Sequence, residues 1–252
     1  MTGGSPPSGE KVPPLPFPWY RHGLFLTLVI VSGMVEVICY TYLGGIFCGY
    51  MTGNFVVLGL QIIRATASPI AQPLVALGGF MLGSFAAGIT LEFGAWRKWH
   101  MFRRIQSLLV VDILLLTSSS IVAGILGVEG ISGNLAALAL MAPAMAFQMT
   151  AGSCLGVPYL AMPLATSTTN TLFSDNPFKR SNLDKTLRKS SMLISLLVGS
   201  LIGSGIAIPT QDPFITLAVA PTVLVLCLAS LEVALHLHRR NTTKSTPQPV
   251  PV

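Results

Sequence analysis

Six stretches of this 252-residue sequence stay apolar for about twenty residues at a time. They run from Leu24 to Leu43, Leu74 to Phe93, Ser107 to Leu126, Asn134 to Ser153, Ser190 to Ile208 and Phe214 to Leu235. About twenty residues of helix cross the roughly 30 Å hydrocarbon layer of a bilayer. Backbone inside that layer must satisfy its own hydrogen bonds, and helices do so within one segment. The chain is therefore expected to be all-α, a polytopic membrane protein with six transmembrane helices. Composition points the same way, because 52% of the residues are hydrophobic and 10% charged, too little charge for a soluble surface. The Pro-rich leader, Met1 to Pro18, and the tail, Asn241 to Val252, are too polar to build a core. Residues 1–23 and 236–252 are expected to be disordered and cytoplasmic, around a single transmembrane domain of residues 24–235. No cleavable signal is expected, since the first apolar run follows the Pro-rich leader and lacks a small-residue cleavage pattern.

Two more apolar segments, Gly44 to Ile63 and Cys154 to Phe173, are interrupted, the first by glycines and the second by Pro158 and Pro163. Neither reads as an ordinary lipid-facing helix. Charge sets their expected course. Arg97, Lys98, Arg103 and Arg104 crowd one connection, Lys179, Arg180, Lys185, Arg188 and Lys189 another, and Arg239, Arg240 and Lys244 follow the last span. The positive-inside bias places all three clusters in the cytoplasm, while the connections around Glu129 and Asp212 carry no lysine or arginine. Both interrupted segments must then re-enter on the face they leave from, with both termini cytoplasmic. The competing arrangement, eight spans, puts two basic clusters outside. The net charge of +6 is gathered in these short runs and shows no nucleic-acid module. Cys39, Cys48, Cys154 and Cys227 lack metal-ligand spacing and are expected to be reduced core residues without a disulfide.

The two interrupted segments resemble each other. "MTGN" at Met51 to Asn54 is echoed by "STTN" at Ser167 to Asn170, Glu36 by Gln148, and "GGFMLGS" at Gly78 to Ser84 by "VGSLIGS" at Val198 to Ser204. Each half, about residues 24–126 and 134–235, thus holds three spans and one broken segment. Three is odd, so the halves are expected to form a 3+3 inverted repeat, a transporter plan in which broken elements meet near the midplane.

The stretch "GMVEVICYTYLGGIFCGYMTGNFVVLG" is similar to the signature of the YoaK-like family, uncharacterised integral membrane proteins of bacteria and fungi with six expected spans. The resemblance covers most of Leu24 to Leu235 and is most specific at Gly44-Gly45 and Met51 to Asn54. Where the family has an aspartate this chain has Glu36, and where it has a Thr-Gly-Thr-like string this chain has Thr168-Thr169-Asn170. The resemblance implies the membrane fold and no activity.

The candidate site follows from the broken segments. Thr52 and Asn54 are good helix N-caps, and a helix that starts inside a membrane aims free N–H groups and its positive dipole end at the midplane. Thr52, Gly53 and Asn54 from one side, with Thr168, Thr169 and Asn170 from the other, form the expected solute site, together with Gln148 and Tyr40. The plainer alternative is that both motifs only cap broken helices. Glu36 lies mid-span on the helical face of Ser32, Tyr40 and Gly44, where an ionised carboxylate costs on the order of 3 kcal/mol. It is the candidate proton-coupling group, with Asp112 as a second. For Asp112 an ion pair with Arg103 or Arg104 is the competing expectation. Gly79, Gly83 and Ala87, like Gly199, Gly203 and Ala207, put small residues at every fourth position for close helix packing. His22, His100, His236, His238, Trp19, Trp96 and Trp99 flank the spans as interfacial anchors.

The expected function is a small secondary transporter or channel-like permease for a small polar solute, coupled to protons through Glu36. The alternative is a membrane-embedded enzyme or accessory subunit acting on a lipophilic substrate, with Glu36 and Asp112 as acid and base. No nucleotide loop, zinc-protease helix or serine elbow occurs, so no catalytic residue, metal or cofactor is assigned. The expected partners are the lipid bilayer and a small polar solute, with no nucleic acid; a homo-oligomer is left open, as is the choice of plasma or organellar membrane.

Overall fold

The computed structural model describes residues 18–64, 67–128, 130–157, 160, 165–175, 182–210 and 212–244. Within them, the side chains of residues 18–20, 67–69, 213, 230, 231 and 233–244 are outside the description. The leader up to Phe17, Glu129, Pro158, Pro163, Lys179, Arg180 and residues 245–252 therefore lie outside the described residues, as do the side chains of Trp19, His236 and His238.

Among the described residues eight helices follow in order: α1 (Pro18–Tyr42), α2 (Met51–Arg64), α3 (Ala67–Trp96), α4 (Met101–Leu126), α5 (Ile131–Cys154), α6 (Ala165–Ser174), α7 (Leu183–Thr210) and α8 (Pro213–Lys244). No strand occurs among the described residues. Helices α1, α3, α4, α5 and α7 are long and apolar enough to cross a bilayer, and α8 adds the apolar stretch Phe214–Ala229. The chain is a multi-pass integral membrane protein. Several helices overrun the apolar runs that nucleate them, since extending a formed helix is far easier than starting one. Helix α3 begins at Ala67 instead of Leu74, α7 at Leu183 instead of Ser190, and α8 continues past Leu235 to Lys244. Residues 236–244, expected to be disordered, are thus helical.

Side-chain contacts give the helix directions. His22 lies 3.3 Å from Ser191, Gly199 packs on Ile30 and Gly203 on Met34, so α1 and α7 run parallel. Gln106 bonds Glu232 and Gly124 packs on Phe214, so α4 and α8 run antiparallel. Helix α4 is antiparallel to α5 as well, with the Ser119 hydroxyl donating to the Ala137 carbonyl at 3.0 Å and Gly133 packed on Gly127. A tight turn from Arg97 to His100 folds α3 back along α4, with Gly94 against Arg104. Helices α1, α4 and α7 therefore point one way and α3, α5 and α8 the other. Arg21, the Arg97 to Arg104 cluster and the Lys185 to Lys189 cluster share one face with the backbone of Arg239 to Lys244. Arg64 and Asp212 lie towards the opposite face.

Glycines let the spans approach closely, the usual means of packing helices in lipid. A Cβ on Gly199 would overlap the Ile30 carbonyl, one on Gly33 would lie 2.5 Å from the Leu196 oxygen, and one on Gly83 would lie 2.5 Å from the Cα of Pro143. The two short helices stand apart: α2 packs on α3 and α6 on α7. At the basic end, Arg21 donates from Nε to the Leu155 carbonyl at 2.7 Å and from Nη2 to the Gly156 carbonyl at 2.7 Å. It thereby satisfies carbonyls left open at the end of α5 and sets a cation on the negative end of that helix.

Candidate functional site around Glu36

The site begins where α1 stops. Gly44 and Gly45 take φ of 80° and 75°, left-handed conformations that cost a glycine little. The Leu43 and Gly45 N–H groups bond back to the Cys39 and Tyr40 carbonyls at 2.8 and 3.1 Å, closing the helix end. The chain then folds back against α1. This return joins Cys39 and Cys48 in a disulfide, which corrects the expectation of four reduced cysteines. The sequence separation of 9 gave no hint of proximity without the double-glycine reversal; Cys154 and Cys227 are not in a disulfide.

The same reversal delivers backbone donors to Glu36. The Cys48 N–H donates to its Oε2 at 3.1 Å and the Gly49 N–H to its Oε1 at 2.5 Å. Both carboxyl oxygens thus accept from peptide groups immediately before α2 begins at Met51. Glu36 is 3% exposed, so this is a buried carboxyl whose charge the end of a helix and two donors can offset. Gly49 has no room for a side chain: a Cβ there would lie 2.5 Å from the Met149 Cε and 2.6 Å from the Glu36 oxygen. Tyr50 stands beside the same carboxyl and next to Ser32. On α5, the buried Gln148 donates through Nε2 to the Leu28 carbonyl at 2.7 Å, about two turns along α1 from Glu36, and its Oε1 has no partner among the described residues.

The remaining expected site residues are dispersed. Asn54 is buried, but its side chain is engaged with the Phe47 backbone, accepting the Phe47 N–H at 3.0 Å and donating to the Phe47 carbonyl at 2.5 Å. It clamps the loop. Thr52 is exposed and Gly53 packs on the Phe47 ring. Neither Thr52 nor Asn54 is the N-cap, because the helix starts before them. Tyr40 is 57% exposed and its ring lies 5.5 Å from that of Phe47. On α6, Thr168 is buried against the Met192 sulfur at 3.7 Å, whereas Thr169 and Asn170 are exposed. Helices α2 and α6 make no contact with each other, so the two polar strings do not touch. Asp112 is buried on α4, which makes no contact with α1, so it does not share the Glu36 cluster either.

Other polar contacts were not foreseen. Lys189 reaches back to α6, donating to the Asp175 carboxylate at 2.6 Å and the Thr171 carbonyl at 3.1 Å. Exposed Asp175 is held below its usual carboxyl range, first by that hydrogen bond and then by the Lys189 charge. Near the opposite face a cavity of about 740 Å³ opens between Tyr42, Ile121, Gly124, Gly130, Asp212 and Phe214. Asp212 caps α8 there, accepting the Phe214 N–H at 2.8 Å.

The family model described as "Protein of unknown function (DUF1275)" matches residues 24–230, from the first turns of α1 into α8. The chain is 27% identical over 216 residues to the Bacillus subtilis (strain 168) "UPF0700 transmembrane protein YoaK", across 82% of this chain and 91% of that one. The resemblance read from the stretch around Met51 to Asn54 is thus supported over most of the chain. No solved structure matches.

Proposed function

Because the chain belongs to the DUF1275 family of proteins of unknown function, membership supplies no activity, and we propose from the geometry that it is a small proton-coupled permease. The observation that carries this reading is Glu36, a buried carboxyl holding the two peptide N–H groups in front of an interrupted helix. Inside a bilayer such a group is expensive to maintain and marks a pathway more often than a fold. When Glu36 takes up a proton, the anion at the start of α2 disappears. The Cys48 and Gly49 N–H groups then become available to an oxygen of a small polar solute, with Tyr50 as a further polar neighbour.

A 3+3 inverted architecture supports the reading. In this scheme six spans alternate in direction, and α2 and α6 lie at opposite faces as re-entrant elements. Glycines matched in the sequence occupy matched positions: Gly199 of α7 packs on Ile30 of α1, and Gly79 of α3 on Ala142 of α5. The enclosure of the spans is paired as well, 67% for α1 and α5 and 22% for α3 and α7. With all described basic clusters on one face, the positive-inside rule puts that face and both termini in the cytoplasm. Against the enzyme alternative, Glu36 and Asp112 sit on helices that make no contact.

The reading is tested in proteoliposomes carrying an internal pH dye, challenged with a panel of small polyols, amides and weak acids. At least one solute is expected to move protons with it in the wild type, and Glu36→Gln to abolish that coupling. Equal solute-driven proton movement in Glu36→Gln would remove Glu36 from the mechanism.

A further inference from the structure

Asp112 differs from Glu36 in the one respect that matters for a buried acid. Its side chain is completely buried, and neither carboxyl oxygen has a hydrogen-bond partner among the described residues. The ion pair expected from the sequence is not formed. Arg103 stacks over the Trp99 ring at 5.8 Å, and Arg104 donates from Nε to the Trp99 carbonyl at 3.0 Å.

Among the described residues, the helices packed on α4 bring no counter-charge to it. Helix α5 contains no acid, base or histidine, only Cys154 at its basic-face end. Helix α3 contributes Glu92 alone, and that residue is exposed. On α8, Glu232 is engaged with Gln106, a turn and a half along α4 from Asp112, and the Cys227 thiol is engaged with Thr27. The backbone of His236 to Lys244 lies level with the start of α4, well short of Asp112. An ionised carboxylate without a donor does not persist in apolar surroundings. Among the described residues no group of three or more His, Cys, Asp or Glu side chains could hold a metal ion there, so the smallest cation is the ligand that fits.

We propose that Asp112 is a resident proton-binding site of the membrane interior, separate from the Glu36 cluster and occupied at neutral pH. This goes beyond the permease reading and stands even if no solute is ever found to move.

Carbodiimide chemistry tests it directly. N,N′-dicyclohexylcarbodiimide enters lipid and adds to a protonated carboxyl; the proton goes to a carbodiimide nitrogen, the carboxylate oxygen bonds its central carbon, and O-to-N acyl migration leaves a stable N-acylurea with every atom retained. The full chain in zwitterionic lipid vesicles is treated at pH 7 and the adduct mapped by peptide mass spectrometry. We expect the N-acylurea on Asp112 in most copies of the chain at pH 7. Labelling of Asp112 is expected to fall as the pH is raised and to vanish in Asp112→Asn. Should that variant fail to fold, the wild-type map still decides. No adduct on Asp112 at pH 7 overturns the proposal.

Discussion

At Glu36 every atom of the carboxylate is used, which makes the residue's replacement informative. Glu36→Gln keeps the shape but turns one acceptor into an NH₂ group aimed at a peptide N–H. A buried donor left without an acceptor costs about 1–3 kcal/mol. The variant should therefore unfold at a lower temperature in detergent than the wild type, and an unchanged midpoint would contradict the hydrogen-bond pair. Gly49→Val should act in the same direction, because its Cβ meets both the Met149 side chain and the Glu36 oxygen. Glu36 was legible in the sequence as an acid inside an apolar run. What held it was not: the donors come from the backbone of Cys48 and Gly49, and a backbone N–H leaves no residue-type signal. Asn54 misled for the same reason, since a good capping side chain was instead turned back on Phe47.

Between elements, two contacts make separable predictions. Helices α1 and α7 touch where Gly199 meets the Ile30 carbonyl; Gly199→Leu forces them apart, and overpacking of this kind costs about 1–3 kcal/mol. Thermal unfolding of the purified variant should show the loss, while Gly205→Leu, at a glycine with open space around it, should show little. Helix α6 is tied to α7 by Lys189 and Asp175. The carboxyl of Asp175 is depressed in the folded chain, so its contribution is present above the unfolded value of about 3.9 and is lost as the pH falls through the lower folded value. Protease cutting between α6 and α7 should be faster in Asp175→Asn than in the wild type at pH 7, with the difference vanishing at the acid end. The disulfide adds a chemical check. Alkylation of denatured, unreduced protein should modify Cys154 and Cys227 and spare Cys39 and Cys48. Helix existence was readable from apolar run length, but where α3, α7 and α8 begin or end was not, because polar flanks extend a helix already formed.

For the molecule as a whole, the spans, the interrupted segments and the crowding of basic residues were visible in the sequence, since each is a pattern of residue types. The separation of α2 from α6 was not visible. It depends on how far each broken element penetrates, which hydropathy does not encode. The proposed architecture stands on the alternation of six helix directions, and one set of accessibility measurements tests it. In a chain with Cys154→Ala and Cys227→Ala, single Lys98→Cys, Asn182→Cys and Val128→Cys variants are probed in intact cells with a membrane-impermeant maleimide. The account predicts that Val128→Cys is labelled from outside and that Lys98→Cys and Asn182→Cys are labelled only after permeabilisation. Labelling of Asn182→Cys from outside, on the opposite side from Lys98→Cys, would contradict the six-span inverted arrangement.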